Sequence, residues 1–181
     1  MKKIGSAFRL LWGYFLLMRF GGVEYARRCG VTVGQNCRIY IHVFGSEPWL
    51  ISVGNNVTIT SGVKLLTHDG STWLFKDEKG RRYKYNRISI GNNIFIGVNS
   101  IIMPGVKIDD NVIVAAGSVV TKSVPSGVIV GGNPAKIIGS YPEYSKKVFE
   151  SYVADSDMDK SKNYRERIDA VVDQDFKNYM K

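Results

Sequence analysis

The stretch IGNNIFIGVNSIIMPGVKIDDNVIVAAGSVVTKSVP, residues 90–125, repeats every six residues. An aliphatic side chain returns at Ile90, Ile96, Ile102, Ile108, Val114 and Val120. Four residues after each stands a small or aliphatic one: Ile94, Ser100, Val106, Val112, Ser118 and Val124. Gly91, Gly97, Gly105 and Asp109 fill or adjoin the turn positions. Upstream the pattern runs through Val53, Ile59 and Leu65, with Val57 and Val63, and earlier through Val33 and Ile39, with Cys37 and Val43. Helical faces recur every three to four residues and plain strands alternate every two, so neither gives a period of six. A short strand, a turn and another short strand does. One hexad cannot bury its own aliphatic residues, so the hexads must stack into a solenoid, and the expected fold class is mainly β.

The chain has 181 residues, enough for one domain and terminal additions. Hydrophobic residues make up 44% and aromatics 12%, which excludes wholesale disorder. The formal net charge of +9 is local: residues 1–30 hold six basic and one acidic residue, and residues 71–87 six basic and two acidic. Two short basic segments suit local anion sites rather than a nucleic-acid-coating surface, so no nucleic acid partner is expected. Cys29 and Cys37 make neither a metal spacing nor a disulfide framework, which points to a reducing compartment. His42 and His68 are the only histidines, which excludes a three-histidine metal site within one chain, and no metal is expected.

Leu10–Met18 is apolar but spans nine residues between Arg9 and Arg19, far short of the roughly 20 that cross a bilayer. Arg19 follows directly and no small-residue cleavage site does, so secretion is not expected. Two readings stay open. One is an amphipathic helix packed on the domain. The other is an interfacial helix with Trp12, Tyr14, Phe15 and Phe20 in lipid, giving residues 1–20 peripheral contact with the inner face of the cytoplasmic membrane. The expected location is the cytoplasm.

The hexads of residues 90–125, followed by GGNPAKII at 131–138, resemble the hexapeptide-repeat acyltransferases. Within these the chain is most similar to O-acetyltransferases of capsule, lipopolysaccharide and exopolysaccharide gene clusters, over residues 22–140. The resemblance implies a left-handed parallel β-helix solenoid; the spacing of the terminal residues and the break in the hexads add N-terminal and C-terminal helices and one extruded loop. The resemblance also implies three hexads per coil, a homotrimer with the active site between subunits, acetyl-CoA as co-substrate and a sugar or polysaccharide acceptor. The expected layout is a basic amphipathic helical segment over 1–30, the catalytic β-helix over 31–139 with its loop at 71–89, and a helical segment over 140–181.

With three hexads per coil, hexads 53–58, 59–64 and 65–70 make one coil. The coil below holds 33–38, 39–44 and a widened segment, 45–52. Glu47 therefore lies beneath the hexad that carries His68 and Asp69. After Gly70 the pattern breaks over Ser71–Ser89, and a basic loop leaves at the corner holding His68. A histidine there can act as general base on a hydroxyl that attacks a thioester. A carboxylate can orient it, as in triad logic. His68 in LLTHDGSTW also matches the place where the family carries its catalytic histidine. Glu47 is the first choice of carboxylate. Asp69 is adjacent, but Asp-Gly is a common turn pair and alternation puts its side chain on the opposite face. His42 is either an outward polar filler or an acceptor-side hydrogen-bonding group.

For the donor, small residues at outer turns admit an extended pantetheine arm: Gly97, Ala115, Ala116 and Gly117. A backbone N–H near Gly97 or Gly117 can serve a developing oxyanion. The resemblance implies that Lys122 and Lys136, with Thr121, contact the nucleotide end of CoA and that Phe95 flanks the pantetheine. The chain has Gly139 where many relatives carry a further basic residue. In the loop, Trp73, Phe75, Tyr83 and Tyr85 offer aromatic faces to a sugar, and Arg81 and Arg82 offer cations to an anionic glycan. Helical spacing is expected over Pro142–Ala154 and Lys160–Met180.

The acceptor stays open at this level. A sugar hydroxyl in bacterial surface polysaccharide synthesis is the leading reading. The DGST segment at 69–72 also resembles that of streptogramin and other xenobiotic acetyltransferases. A non-catalytic trimeric scaffold is the third reading, against which stand His68, the NPAK segment and the polar loop. A γ-carbonic anhydrase needs three histidines and is excluded.

Overall fold

A hexad leaves two or three residues for a strand before the chain must turn. The structure, a computed structural model, describes residues 15, 17–19 and 21–179. Its first full helix, α1, covers residues 21–29. Then come β1 (Thr32–Val33), β2 (Arg38–Ile39), β3 (Ile51–Val53), β4 (Val57–Ile59) and β5 (Lys64–Leu65). The loop holds a small antiparallel pair, β6 (Lys76–Asp77) and β7 (Gly80–Arg81). The repeat resumes with β8 (Ile88–Ile90), β9 (Ile94–Ile96), β10 (Ile101–Ile102), β11 (Lys107–Ile108), β12 (Val112–Val114) and β13 (Val119–Val120). It ends in β14 (Val128–Gly132) and β15 (Ala135–Ser140), a hairpin.

Successive strands go to successive sheets. Three parallel sheets result, β1-β3-β8-β11, β2-β4-β9-β12-β14 and β5-β10-β13, with β15 antiparallel at the end of the second. The protein is mainly β, and the chain winds through the three sheets. Ile90 pairs with Ile108, Ile96 with Val114 and Ile102 with Val120, so each partner stands three hexads further along the chain. Val33 pairs with Val53, a little more than three hexads on, which accommodates the widened 45–52 segment. Val53 pairs with Ile90, one coil plus the inserted loop away. The insertion rejoins the coil at Ile88, so Ile88 and Ser89, expected in the loop, are strand residues, and Ile88 is fully buried.

The periodic side chains make the core. All twelve hexad positions from Ile90 to Val124 are at most 5% exposed, so the period reports burial and not chance. The two polar members are satisfied: Ser100 and Ser118 hydroxyls both donate to the Ala115 carbonyl, at 3.0 and 2.6 Å. α1 packs on the first coil through buried Ala26, and a Cβ on Gly22 would overlap the Ile39 carbonyl oxygen.

Five corners are built on asparagine, a residue that tolerates the left-handed region, and others on glycine, such as Gly62, Gly105 and Gly117. Asn36, Asn56, Asn93, Asn99 and Asn111 have φ between 54° and 59°. Three of them also stack: Asn56 Nδ2 donates to Asn93 Oδ1 at 2.9 Å, and Asn93 Nδ2 to Asn111 Oδ1 at 3.1 Å. A neighbouring ladder runs from the Asn55 backbone N–H to Asn92 Oδ1 at 2.8 Å and from the Asn92 N–H to Asp110 Oδ1 at 2.7 Å.

Residues from Glu143 onward form a second unit. α2 covers Tyr141–Ser151. The second expected helix is much shorter than 160–180: α3 covers only Tyr164–Asp169, opened by an Asn163–Glu166 capping box. Its continuation over the described residues is mostly exposed, with Val172 48% and Phe176 99% exposed, and a helix without a packed face is marginal at such length. The proposed membrane face falls mainly on residues 1–14, 16 and 20, outside the described residues. Among the described residues no helix is long and apolar enough to cross a membrane.

The asparagine corners predict an inverted order of substitution costs. Asn93→Ala should lower unfolding free energy by about 1–2 kcal/mol more than Asn93→Gly, because alanine pays the left-handed penalty and glycine does not. Urea titration of both variants checks this; equal losses would mean that side-chain stacking, not φ, is what Asn93 supplies.

Candidate active site

The corner after β5 is held by the loop that leaves it. The returning chain pairs antiparallel with residues 67–69: the Asn86 N–H donates to the Thr67 carbonyl at 2.8 Å, the Asp69 N–H to the Lys84 carbonyl at 3.1 Å, and His68 faces Tyr85 in the bridge. Thr67 points inward, 2% exposed, and His68 outward. From the coil below, Glu47 stands just before a single 3-10 turn, Pro48–Leu50.

Three side chains meet here on one oxygen. Glu47 Oε2 lies 2.8 Å from His68 Nδ1 and accepts the Thr67 hydroxyl at 2.6 Å. The Glu47 carboxyl is held below its ordinary value, first by the Thr67 hydroxyl, against the upward push of burial, and then by His68. An ionised carboxylate only accepts, so Nδ1 carries the proton and Nε2 of the neutral ring keeps its lone pair. The Tyr85 ring meets the imidazole edge-on at 6.0 Å. Asp69 has a different occupation: its Oδ1 accepts the Ser71 backbone N–H at 2.9 Å and the Ser71 hydroxyl at 2.6 Å. Those bonds hold its carboxyl low and cap the turn over Gly70–Leu74.

His68 separates two cavities. One, about 440 Å³, is lined by Leu66, Asn86, Met103, Pro104 and Thr121 besides His68, Asp69 and Lys84. The other, about 200 Å³, lies under the loop and is lined by Ser46, Glu47, Thr72, Arg81, Tyr83 and Tyr85 with the same His68, Asp69 and Lys84. An imidazole between two compartments has the geometry to take a proton from a molecule in one while that molecule's oxygen reaches a group in the other.

The remaining sequence-derived residues scatter. Thr121 lines the larger cavity; Lys122 and Lys136 are exposed and line neither. Phe95 opens on a separate cavity of about 190 Å³ with Arg38 and Tyr141. His42 lines another, of about 100 Å³, with Tyr40 and Lys64. The N–H groups of Gly97 and Gly117 are spent on the Val114 and Val98 carbonyls, both at 2.8 Å, so neither is free for an oxyanion. A Cβ on Gly97 would meet the Ala116 nitrogen at 2.5 Å, so coil stacking requires that glycine. Ala115 is half-buried and bonds through its N–H to the Val130 carbonyl; Ala116 and Gly117 are exposed at the corner. In the loop Arg82 pairs with Asp77, while Arg81 lies over Trp73 and Tyr83. Sequence reading passed over Thr67. Its signal was a hydroxyl at an inward position, which needs a partner.

The chain is similar to known proteins in sequence and in fold. A family model described as the hexapeptide repeat of succinyl-transferase matches residues 87–122. Protein CapG of Staphylococcus aureus is 54% identical over 155 residues, covering 84% of this chain and 88% of CapG. Galactoside O-acetyltransferase of Escherichia coli is 29% identical over 137 residues, covering 75% of this chain and 67% of that one. A hexapeptide-repeat acetyltransferase crystal structure from Vibrio cholerae superposes with a TM-score of 0.50 at 26% identity, covering 62% of this chain and 63% of that one. The chain belongs to the hexapeptide-repeat acyltransferase family. It is an acetyltransferase of that family.

The shared oxygen predicts a titration. In Thr67→Val the Glu47 carboxyl should rise toward its ordinary value, as read by carbon-13 NMR. The folded value is depressed, so the stability Glu47 contributes is complete above its unfolded value, near pH 4.3, and is lost as pH falls through the folded one. Thr67→Val should narrow that acid window. An unmoved carboxyl would remove Thr67 as the cause.

Proposed function

We propose that this acetyltransferase is an acetyl-CoA-dependent O-acetyltransferase acting on a sugar hydroxyl in bacterial surface polysaccharide synthesis. The observation that carries the reading is the Glu47–His68 contact at 2.8 Å, set on the wall between two cavities. The larger cavity is the donor side and the smaller one the acceptor side. Similarity to galactoside O-acetyltransferase of Escherichia coli supports the sugar acceptor. CoA thioesters place the reaction in the cytoplasm.

Acetyl-CoA, as co-substrate, supplies the activated acetyl group. Glu47 fixes the His68 tautomer, with Nδ1 protonated and Nε2 open. His68 Nε2 takes the acceptor hydroxyl proton as the hydroxyl oxygen bonds to the thioester carbonyl carbon. Glu47 stabilises the imidazolium that forms. When the carbon–sulfur bond breaks, the imidazolium returns its proton to the departing sulfur, so free thiol and acetyl ester leave. No covalent enzyme intermediate is required. Thr121 lines the donor side, and Lys122 and Lys136 are the cations assigned to the CoA phosphates. The full assembly in this reading is a left-handed parallel β-helix in a homotrimer, with the donor groove between subunits.

His68→Ala should lower kcat by about 10²–10⁴-fold with acetyl-CoA binding retained. Calorimetry with acetyl-CoA should show micromolar binding near one site per chain. An unchanged rate in His68→Ala overturns the base; absent acetyl-CoA binding overturns the donor.

A further inference from the structure

The loop that rises from the His68 corner carries an ordered cation with no anion of its own. Arg81, Tyr83 and Tyr85 are alternate residues of an extended segment, so they share one face. Their side chains form a continuous row. The Arg81 guanidinium lies 4.8 Å from the Trp73 ring centre and 4.6 Å from that of Tyr83. Tyr83 stacks on Tyr85 at 6.2 Å with an interplanar angle of 7°, and Tyr85 meets His68 edge-on. The row begins at a cation, ends at the imidazole and lines the smaller cavity.

The other charges around that cavity are committed. Glu47 serves Thr67 and His68, Asp69 caps its turn, and Lys84 faces Asp69. Outside the cavity lining, Arg82 pairs with Asp77. Arg81 makes no ion pair among the described residues, and its Nε is buried without an acceptor. Arg81 is half-buried and lines the cavity, and no hydrogen bond occupies its terminal nitrogens among the described residues, so those nitrogens are what a ligand there would meet. Aromatic rings over the guanidinium leave its in-plane edge for hydrogen bonding, the edge that receives both oxygens of a carboxylate.

We propose that the acceptor is an anionic sugar, and that Arg81 selects it by pairing with a carboxylate on the ring while another ring hydroxyl faces His68. The volume agrees: about 200 Å³ falls below the roughly 300–1,000 Å³ of sites for drug-sized ligands, so the cavity takes a single sugar ring. Trp73 and Tyr83 are positioning residues that hold the guanidinium flat. The inference rests on the smaller cavity being the acceptor side.

The test is equilibrium binding of three probes that share a ring and differ at C6: methyl galactoside, methyl galacturonoside and methyl galactoside 6-phosphate. The full-length protein should bind the galacturonoside about ten- to a hundredfold more tightly than the neutral sugar, the range of a charge-assisted pair. In Arg81→Gln that ratio should fall to about one, and Arg81→Lys, which keeps the charge and loses the fork, should restore it only in part. The ratio is read on one preparation, so partial misfolding cancels. Equal affinities, no binding of any probe, or a ratio unmoved in Arg81→Gln overturns the proposal. Preference for the 6-phosphate overturns the carboxylate and assigns the anion to a phosphosugar. The ratio without acetyl-CoA binding would keep the anion site and defeat the transferase reading, so the two fail separately.

Discussion

Coil register is the constraint from which the rest follows. Each strand is only two to six residues long, and its backbone groups find their partners in the coils above and below. Residues added within a strand would leave donors and acceptors unpaired in every coil they touch. Surplus chain must therefore leave at a corner. The inserted segment between β5 and β8 does so, and the strands on either side keep their pairing. The returning chain then binds residues 67–69 and fixes the backbone under His68. The site is where register and insertion meet.

The smaller irregularity matters as much as the larger one. The slight excess of chain in the first coil allows 45–52 to bulge, with Gly45 at φ 73° beside Thr67 and a proline opening the turn after Glu47. Glu47 can then reach a buried hydroxyl and an exposed imidazole with the same oxygen. Alternation sends Thr67 and His68 to opposite faces, so only a side chain arriving at the edge of the coil can touch both. A carboxylate set there bears a desolvation cost that its two donors offset, and the result is a fixed tautomer.

The hexad pattern made the winding legible because burial on every strand writes itself into the chain as aliphatic residues six apart. Coil arithmetic, with the three hexads per coil that the family resemblance implies, also brought Glu47 under His68. Other features left weaker traces. The corner asparagines follow from backbone φ and from side-chain ladders between coils, and they were legible only as generic turn residues. Gly97 looked like an open groove but is required by the Ala116 backbone of the next coil. The apolar spacing after Lys160 suggested a long helix, yet spacing makes a helix only where a surface covers it.

By itself, the sequence determined the period, the inward residues, the place where the surplus chain must leave the stack and the histidine beside that exit. Those are local or periodic properties, set by side-chain type and spacing. Tertiary structure alone decided which carboxylate serves His68, that Thr67 shares it, which glycine N–H groups are already spent, and which of two adjacent arginines is left without an anion. Each of these depends on close distances between residues far apart in the chain, and composition and spacing carry no such distances.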